Sequence, residues 1–529
     1  FAIDFKHLNI KTVRMLILLG LLVGVAGDLP VHCTYKQIEG NWVFTLNSET
    51  FKPSLQDSQT YCGHGQPDQV LNIKPSKVFS FEKPLKEEVT LSEPNTATSS
   101  TYGKGTWTMI YDEGFLVSFA GIEFFTYSLY VKKGKNYASV CDRTTLGWYK
   151  QADSKWGCFF AEKKDKAESY SVQPELTVKW VEPSYMSFLQ KAQLYDDYKE
   201  AVEQINSSQS SWKADLSPQF LGLTVSEVSS HFGSKKPKPP GPFSSFIESK
   251  TSLTPSELSK LSLKDQESLL YFWEKKLEDI PSSSLPQSWD WSDIDGTNYV
   301  SEPRQQGNCG SCYTVTAVSM LEARLRIYTS FEFDHLLSMQ YLIDCSFYTE
   351  GCDGGYPTLL NKFISEFGIV SEECMPYLAK NNQCKFSCQD GVKVSVKDYG
   401  YVGGYYGASN EENIMKELRA RGPVIANFEP SWDFTLFKSG IYQSFSRRET
   451  STELNDLDMR EAELDWERVS HSVLLVGWGE ENGQKYWKAI NSWGTKWGEN
   501  GYFKIKRGTD ECSIESMAEA AVPYVVSYN

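Results

Sequence analysis

Several things are scarce in this sequence, and each scarcity excludes something. No apolar run approaches the ~20 residues that a helix needs to cross a bilayer; the one uninterrupted run, Met15 to Ala26, has twelve. Positive charge is in deficit: 53 Lys and Arg against 68 Asp and Glu give a formal net charge of −15, which argues against a nucleic-acid-binding surface. Histidine is confined to His7, His32, His64, His231, His335 and His471, so few positions can supply an imidazole base. Cysteine is missing between Cys158 and Cys309, and nothing covalent ties that stretch down.

What is present fits folded domains. Of 529 residues, 40% are hydrophobic and 14% aromatic, and the length calls for more than one compact unit. Lys6, Lys11 and Arg14 precede the apolar run, which ends on the small residues Val25 and Ala26 with Gly27 after them. That layout predicts a secretory signal peptide over residues 1–27, with Asp28 opening the mature chain. The route leads through an oxidising compartment, where an even count of twelve cysteines suggests disulfides. Asn206-Ser207-Ser208 is a glycosylation sequon and makes Asn206 a candidate glycan site.

Composition divides the chain further. Residues 28–165 read as strands, for example Asn41 to Leu46 and the pair Trp107–Tyr111 and Phe115–Phe119 joined by a turn. Residues 166–284 read as a removable propeptide with an exposed basic, breaker-rich stretch at 233–242 and a predicted helix over 256–280. From Leu285 onward the pattern is α+β: helices over 312–330 and 410–420, then strands over 471–478, 486–490 and 502–505. The charged stretch 446–468, opening on Arg447-Arg448, reads as an exposed loop that separates units 285–448 and 449–529.

The most informative stretch is Gln306-Gly-Asn-Cys309-Gly-Ser-Cys312-Tyr313. Its Cys-Gly-Ser-Cys-Tyr core matches the surroundings of the nucleophile in papain-like cysteine peptidases. Gly351-Cys352-Asp353-Gly354-Gly355-Tyr356-Pro357, then His471 at the head of a strand, then Asn491-Ser492-Trp493-Gly494 follow in order. A thiol reacts as thiolate, which a helix N-terminus and a neighbouring imidazolium both favour. Cys312 is therefore the candidate nucleophile, His471 the acid and base, Asn491 the residue that orients the ring, and Gln306 the donor to the developing oxyanion, beside the Cys312 N–H. His335 is the rival base, but beside Asp334 it reads as solvent-exposed. A Cys309/Cys312 redox pair lacks its βαβ surroundings, and zinc lacks a second Cys-x-x-Cys, so no metal is expected.

The chain is identified as resembling the papain-like cysteine peptidases, and it is similar to their dipeptidyl-peptidase branch along nearly its whole length. That similarity rests on Asp28-Leu-Pro-Val-His-Cys-Thr-Tyr35, Gly40-Asn-Trp-Val-Phe44, Gly147-Trp148, Leu285-Pro-Gln-Ser-Trp-Asp-Trp291 and Arg507-Gly-Thr-Asp-Glu-Cys512. The resemblance implies a two-lobed catalytic domain, a helical lobe beside a β-rich one, with an additional N-terminal all-β, barrel-like exclusion domain. It implies removal of dipeptides from free peptide and protein N-termini, Asp28 pairing with the substrate α-amino group, and a second-residue pocket of Gly354, Gly355, Tyr356, Pro357 and Met517. It also implies the disulfides Cys33–Cys141, Cys62–Cys158, Cys309–Cys352, Cys345–Cys384 and Cys374–Cys388, with Cys512 free. A zymogen processed into a homotetramer is implied, resident in the lysosome or secreted beyond it, with no nucleic-acid partner. No cofactor is expected to be required. Chloride near the second-residue pocket would fall to Tyr356 and Tyr401, but Thr358 stands where a further tyrosine is expected. Ser470 likewise replaces the asparagine that commonly precedes the histidine. The alternatives are a papain-type endopeptidase with an accessory N-terminal domain, and a non-catalytic homologue.

Overall fold

The computed structural model describes residues 33–55, 58–62, 84–133, 136–164, 194–229, 231–232, 277–385, 388, 391–445 and 471–527. Residues 1–27, Asp28, the basic stretch 233–242, most of the expected helix 256–280 and the charged stretch 446–468 lie outside them. Of that helix, the described end Leu277–Asp279 is a 3-10 turn.

After a short helix α1 (Tyr35–Ile38), the N-terminal unit winds nine antiparallel strands: β1 (Gly40–Leu46), β2 (Leu85–Ser92), β3 (Thr96–Ser99), β4 (Gly103–Ile110), β5 (Gly114–Phe119), β6 (Ile122–Lys133), β7 (Asn136–Thr144), β8 (Gly147–Gln151) and β9 (Trp156–Lys163). β1 shows the cause in miniature: Trp42, Phe44 and Leu46 alternate inward at the strand period. β1 pairs with both β2 and β9, which closes the sheet into a barrel and removes its open edges. The rings of Phe44, Phe115, Phe124 and Phe159 fill it. Cys33–Cys141 and Cys62–Cys158 staple it.

The second unit opens on β11 (Trp289–Asp290), preceded in the chain by a short strand β10 (Trp212–Ala214) and two helices, α2 (Lys199–Ser208) and α3 (Val225–Ser229). Its long helix α4 (Cys312–Thr329) is buried over nearly its full length and stops at Ser330, whose φ of 51° breaks the helical path. α5 (Met339–Cys345), α6 (Pro357–Phe367) and α7 (Glu411–Arg421) complete the helical part. Pro357 sits at the first position of α6, where its missing N–H costs nothing. Asn410 caps α7 by accepting from the Asn413 N–H at 2.9 Å. The strands β12 (Ile369–Val370), β13 (Lys393–Tyr401), β14 (Val424–Phe428), β15 (Phe437–Tyr442), β16 (His471–Glu481), β17 (Gln484–Ile490), β18 (Tyr502–Lys506) and β19 (Ala518–Ser527) join β10 in one sheet, ordered β10-β15-β18-β17-β16-β14-β19-β13-β12, with β11 beside β16. α4 packs against β16 and β19. This is the expected α+β architecture with an all-β N-terminal unit. Cys309–Cys352, Cys345–Cys384 and Cys374–Cys388 form, leaving Cys312 and Cys512 outside disulfides. That pairing removes the Cys309/Cys312 redox reading.

The segment 194–229 is not a loose tether. β10 adds to the edge of β15, and Trp212 donates to the Gln443 carbonyl at 2.9 Å. Gly440 makes the approach possible: a Cβ there would lie 2.6 Å from the Ser211 oxygen, and its φ is +99°. Asn206 lies on α2, where its amide both donates to and accepts from the backbone of Ala214 at 2.9 Å. The nitrogen that would carry a glycan is thus already engaged in closing α2 onto β10.

The barrel and the catalytic unit share one hydrophobic core. Trp156 packs edge-on to Phe367, and Phe125 and Trp148 on Tyr348. The buried Lys362 ammonium of α6 bonds Glu123 of β6 at 2.6 Å and Glu366 at 2.7 Å. Burial would lower the Lys362 pKa, but these two carboxylates outweigh it and hold it well above its usual value. Removing the ammonium strands two carboxylates, so Lys362→Ala is expected to cost about 3–5 kcal/mol. A urea melt that matches the parent chain's would rule this out.

Candidate active site

Cys312 is the first residue of α4 and is fully buried. The N–H groups of the helix's first turn converge near it, a field that favours an anion. The turn ahead of it is held rigidly: the Gly310 N–H donates to the Cys352 carbonyl at 2.8 Å, the Ser311 hydroxyl pairs with the Tyr377 hydroxyl at 2.7 Å, and Tyr377 in turn donates to the Gln306 carbonyl at 2.7 Å.

His471 is brought in from the other side, as the first residue of β16 and in register with Phe428 of β14. Its Nε2 lies 2.7 Å from Asn491 Oδ1, which also accepts from the Ser492 N–H at 2.8 Å. An amide oxygen only accepts, so Nε2 carries the proton and the neutral ring presents a bare Nδ1. Among the described residues, that Nδ1 is buried without a hydrogen-bond partner. The ring lies beneath Trp493, with centroids 5.0 Å apart. Gln306 is tied to the same loop. Its Oε1 accepts from the Ser492 hydroxyl at 2.5 Å, and its N–H donates to the Ser492 carbonyl at 2.9 Å.

The Gln306 side-chain nitrogen has two acceptors: the Cys309 carbonyl at 2.7 Å and the His231 carbonyl at 3.1 Å. The second is unexpected, since His231 belongs to the stretch read from sequence as removable. Phe232 stands edge-on to His471 at 5.5 Å and to Trp493 at 5.3 Å, while Phe220 packs on His231 and Trp493. A peptide carbonyl thus occupies the donor expected to serve an oxyanion, and an aromatic ring covers the imidazole. Burial is the main influence on His471; the Asn491 hydrogen bond opposes it and His231 adds to it, and the pKa is pushed from 6.5 down to about 4. Burial also lowers the His231 pKa, against hydrogen bonds to the Glu227 and Val228 carbonyls.

The residues expected to form the second-residue pocket come from two places in the catalytic unit. Gly354, Gly355 and Tyr356 run into α6 at Pro357, and Met517 precedes β19. A Cβ on Gly355 would lie 2.7 Å from the Tyr313 ring, so only glycine lets this loop close on α4. Tyr356 stacks on Tyr111 of the barrel at 3.9 Å and donates its hydroxyl to Glu113. The Tyr401 hydroxyl accepts from the Tyr111 N–H at 3.4 Å. His335, the rival base, is exposed. Among the described residues no group of side chains is arranged to hold a metal, and no helix is long and apolar enough to cross a membrane. The sequence reading missed Ser492 as the link between Gln306 and Asn491, His231-Phe232 as the cover, and Glu519 beneath Met517. Only Glu519 left a signal: one acid inside an otherwise small and apolar strand, Met517-Ala-Glu-Ala-Ala521.

Comparison with known proteins bears on this arrangement. Residues 285–522 match the papain family of cysteine proteases, and residues 28–163 match the cathepsin C exclusion domain. Cathepsin C of Schistosoma mansoni is 32% identical over 510 residues, spanning 95% of this chain and 97% of that protein. Pro-cathepsin H of Mus musculus is 37% identical over 246 residues (45% of this chain, 66% of the other). Dipeptidyl aminopeptidase 1 of Plasmodium falciparum is 30% identical over 336 residues (50% and 47%). Among solved structures, procathepsin L 3 from Tenebrio molitor larval midgut aligns with a TM-score of 0.45 and 24% identity, covering 62% of this chain and 90% of that one.

The covered imidazole sets a pH dependence. A histidine held neutral in the folded state gains its proton on unfolding or uncovering, so its stabilisation is fully present above pH 6.5 and is lost as pH falls towards about 4. His231 acts with the same sign. The intact chain is expected to show a falling thermal midpoint, and faster proteolysis within residues 194–232, as pH drops through that window. A midpoint indifferent to pH there would contradict the assignment.

Proposed function

Because this chain belongs to the cathepsin C branch of the papain-family cysteine proteases, we propose that its work as a cysteine dipeptidyl peptidase is carried by Cys312 and His471, and that residues 194–232 hold it closed as a precursor. Uncovering His471 readmits water, and the ring can then take the Cys312 proton to form a thiolate beside an imidazolium. The sulfur attacks the carbonyl carbon between the second and third substrate residues. The oxyanion draws hydrogen bonds from the Gln306 amide and the Cys312 N–H. His471 returns its proton to the departing amine, leaving a dipeptidyl thioester. It then takes a proton from water, the hydroxide attacks the thioester, and dipeptide leaves as the thiolate is restored. The bond between Nε2 and Asn491 fixes the ring's orientation and leaves Nδ1 to exchange the proton with the sulfur.

One observation carries the chain-end specificity: the barrel's β4–β5 turn, through Tyr111 and Glu113, is packed directly on Tyr356. The barrel thereby walls off the groove beyond the second residue. The Asp28 carboxylate, at the barrel's N-terminal end in sequence, supplies the charge that pairs with a substrate α-ammonium. An N-acetylated substrate would leave that carboxylate desolvated and unpaired. Action in the lysosome fits an enzyme whose cover loosens in acid, and the similarity to cathepsin C is consistent with a homotetramer.

Processed enzyme is expected to hydrolyse a free-amine dipeptide reporter at least ~10²-fold faster than its N-acetylated twin; equal rates, or internal cuts in a protein substrate, would instead favour an endopeptidase. Cys312→Ser should abolish turnover while preserving the fold. Gln306→Ala should lower kcat by ~10²–10³, and a loss confined to KM would remove Gln306 from the oxyanion role.

A further inference from the structure

Glu519, on β19 two residues past Met517, has no solvent exposure. Three donors from three separate elements meet its carboxylate. Oε1 accepts from the Tyr111 hydroxyl of the barrel and from Asn427 Nδ2 of β14 at 2.8 Å; Oε2 accepts from the Thr358 hydroxyl of α6 at 2.6 Å. Asn427 Oδ1 in turn accepts from the hydroxyl of Ser472, the neighbour of His471. One side chain therefore joins the exclusion barrel, the helical lobe and the strand pair that carries the base. Burial raises the Glu519 pKa, while these three side-chain donors and the Thr358 backbone oppose the rise.

The residues expected to receive chloride do not fit that ion here. The Tyr356 hydroxyl is committed to Glu113, the Tyr111, Thr358 and Asn427 donors converge on Glu519, and the Tyr401 hydroxyl, which accepts from the Tyr111 N–H, has only its own proton to offer an anion. A halide inserted among them would lie between two carboxylates, and like charges repel strongly in a medium this poorly screened. Thr358 matters in the same way: a short hydroxyl at the start of α6 reaches the carboxylate and gives it its proton.

We propose that Glu519 is the resident anion of this site, a positioning residue that fixes the barrel against the second-residue pocket and makes the peptidase independent of added chloride. The proposal rests on the dipeptidyl-peptidase reading for its kinetic arm only. With processed enzyme and the free-amine reporter, kcat/KM is expected to agree within about twofold between chloride and acetate at equal ionic strength; a fivefold or greater requirement for chloride overturns it. Glu519→Ala leaves the three donors around a gap, so its KM should rise about tenfold in acetate and recover in chloride, with kcat changing less. Glu519→Gln fills the gap and should show no such recovery. An Ala variant that folds yet ignores halide also overturns the proposal. Independently of activity, crystals of the parent protein soaked in bromide should show no anomalous peak within hydrogen-bond reach of Thr358 and Tyr401, and a peak there refutes it even if no reporter is ever hydrolysed.

Discussion

Asn491 Oδ1 accepts two hydrogen bonds, one from the His471 ring and one from the Ser492 backbone, and the Ser492 hydroxyl reaches on to Gln306. This chain of three short contacts sets the ring's tautomer and the direction of the Gln306 amide from one loop. The rest of the site has meaning only against that frame. α4 presents Cys312 to it from one lobe, and β16 presents the ring from the other. A buried acceptor that lost either partner would carry a desolvation penalty of about 1–3 kcal/mol, so Asn491 and Ser492 are held by energetics as well as by chemistry.

Two additions surround this frame, and they act on different sides of it. The segment ending at His231-Phe232 covers the ring and occupies the Gln306 amide, while the barrel presses Tyr111 and Glu113 onto Tyr356. The cover is attached by strand pairing and aromatic packing, with no disulfide among the described residues that binds it to the catalytic unit. The barrel is attached by a buried ammonium with two carboxylates and by the Glu519 cluster. Buried charges thus tie the barrel, whereas strand pairing and aromatic contacts tie the cover.

Much of this was legible in the residues. Helix α4 was readable because apolar residues recur on a helical period after a small, glycine-bearing turn, and β16 because an apolar run begins at a histidine. The order Gln306, Cys312, His471, Asn491 carried its own chemistry. The cover was not readable, because its strand β10 has three residues and gains its conformation from β15 rather than from its own propensity. The amide of Asn206 was legible only as a glycan site, and its bonds to the Ala214 backbone had no sequence signal. Glu519 was visible as an oddity in an apolar strand, but its three donors come from positions 92 to 408 residues away in sequence, and no local pattern links them.

The pairing of β10 with β15 carries one more implication. At present the Ile441 amide is satisfied by the Ser211 carbonyl and the Leu436 carbonyl by the Asp215 amide. Excision of the covering segment would strip those partners away and uncover the Phe437 and Tyr442 rings on which Trp212 lies. Maturation would then create a raw sheet border with an aromatic notch beside it, a surface that invites a neighbouring polypeptide to dock. On the precursor reading proposed above, loss of the cover would then do two things at once: bare the imidazole and bare this border.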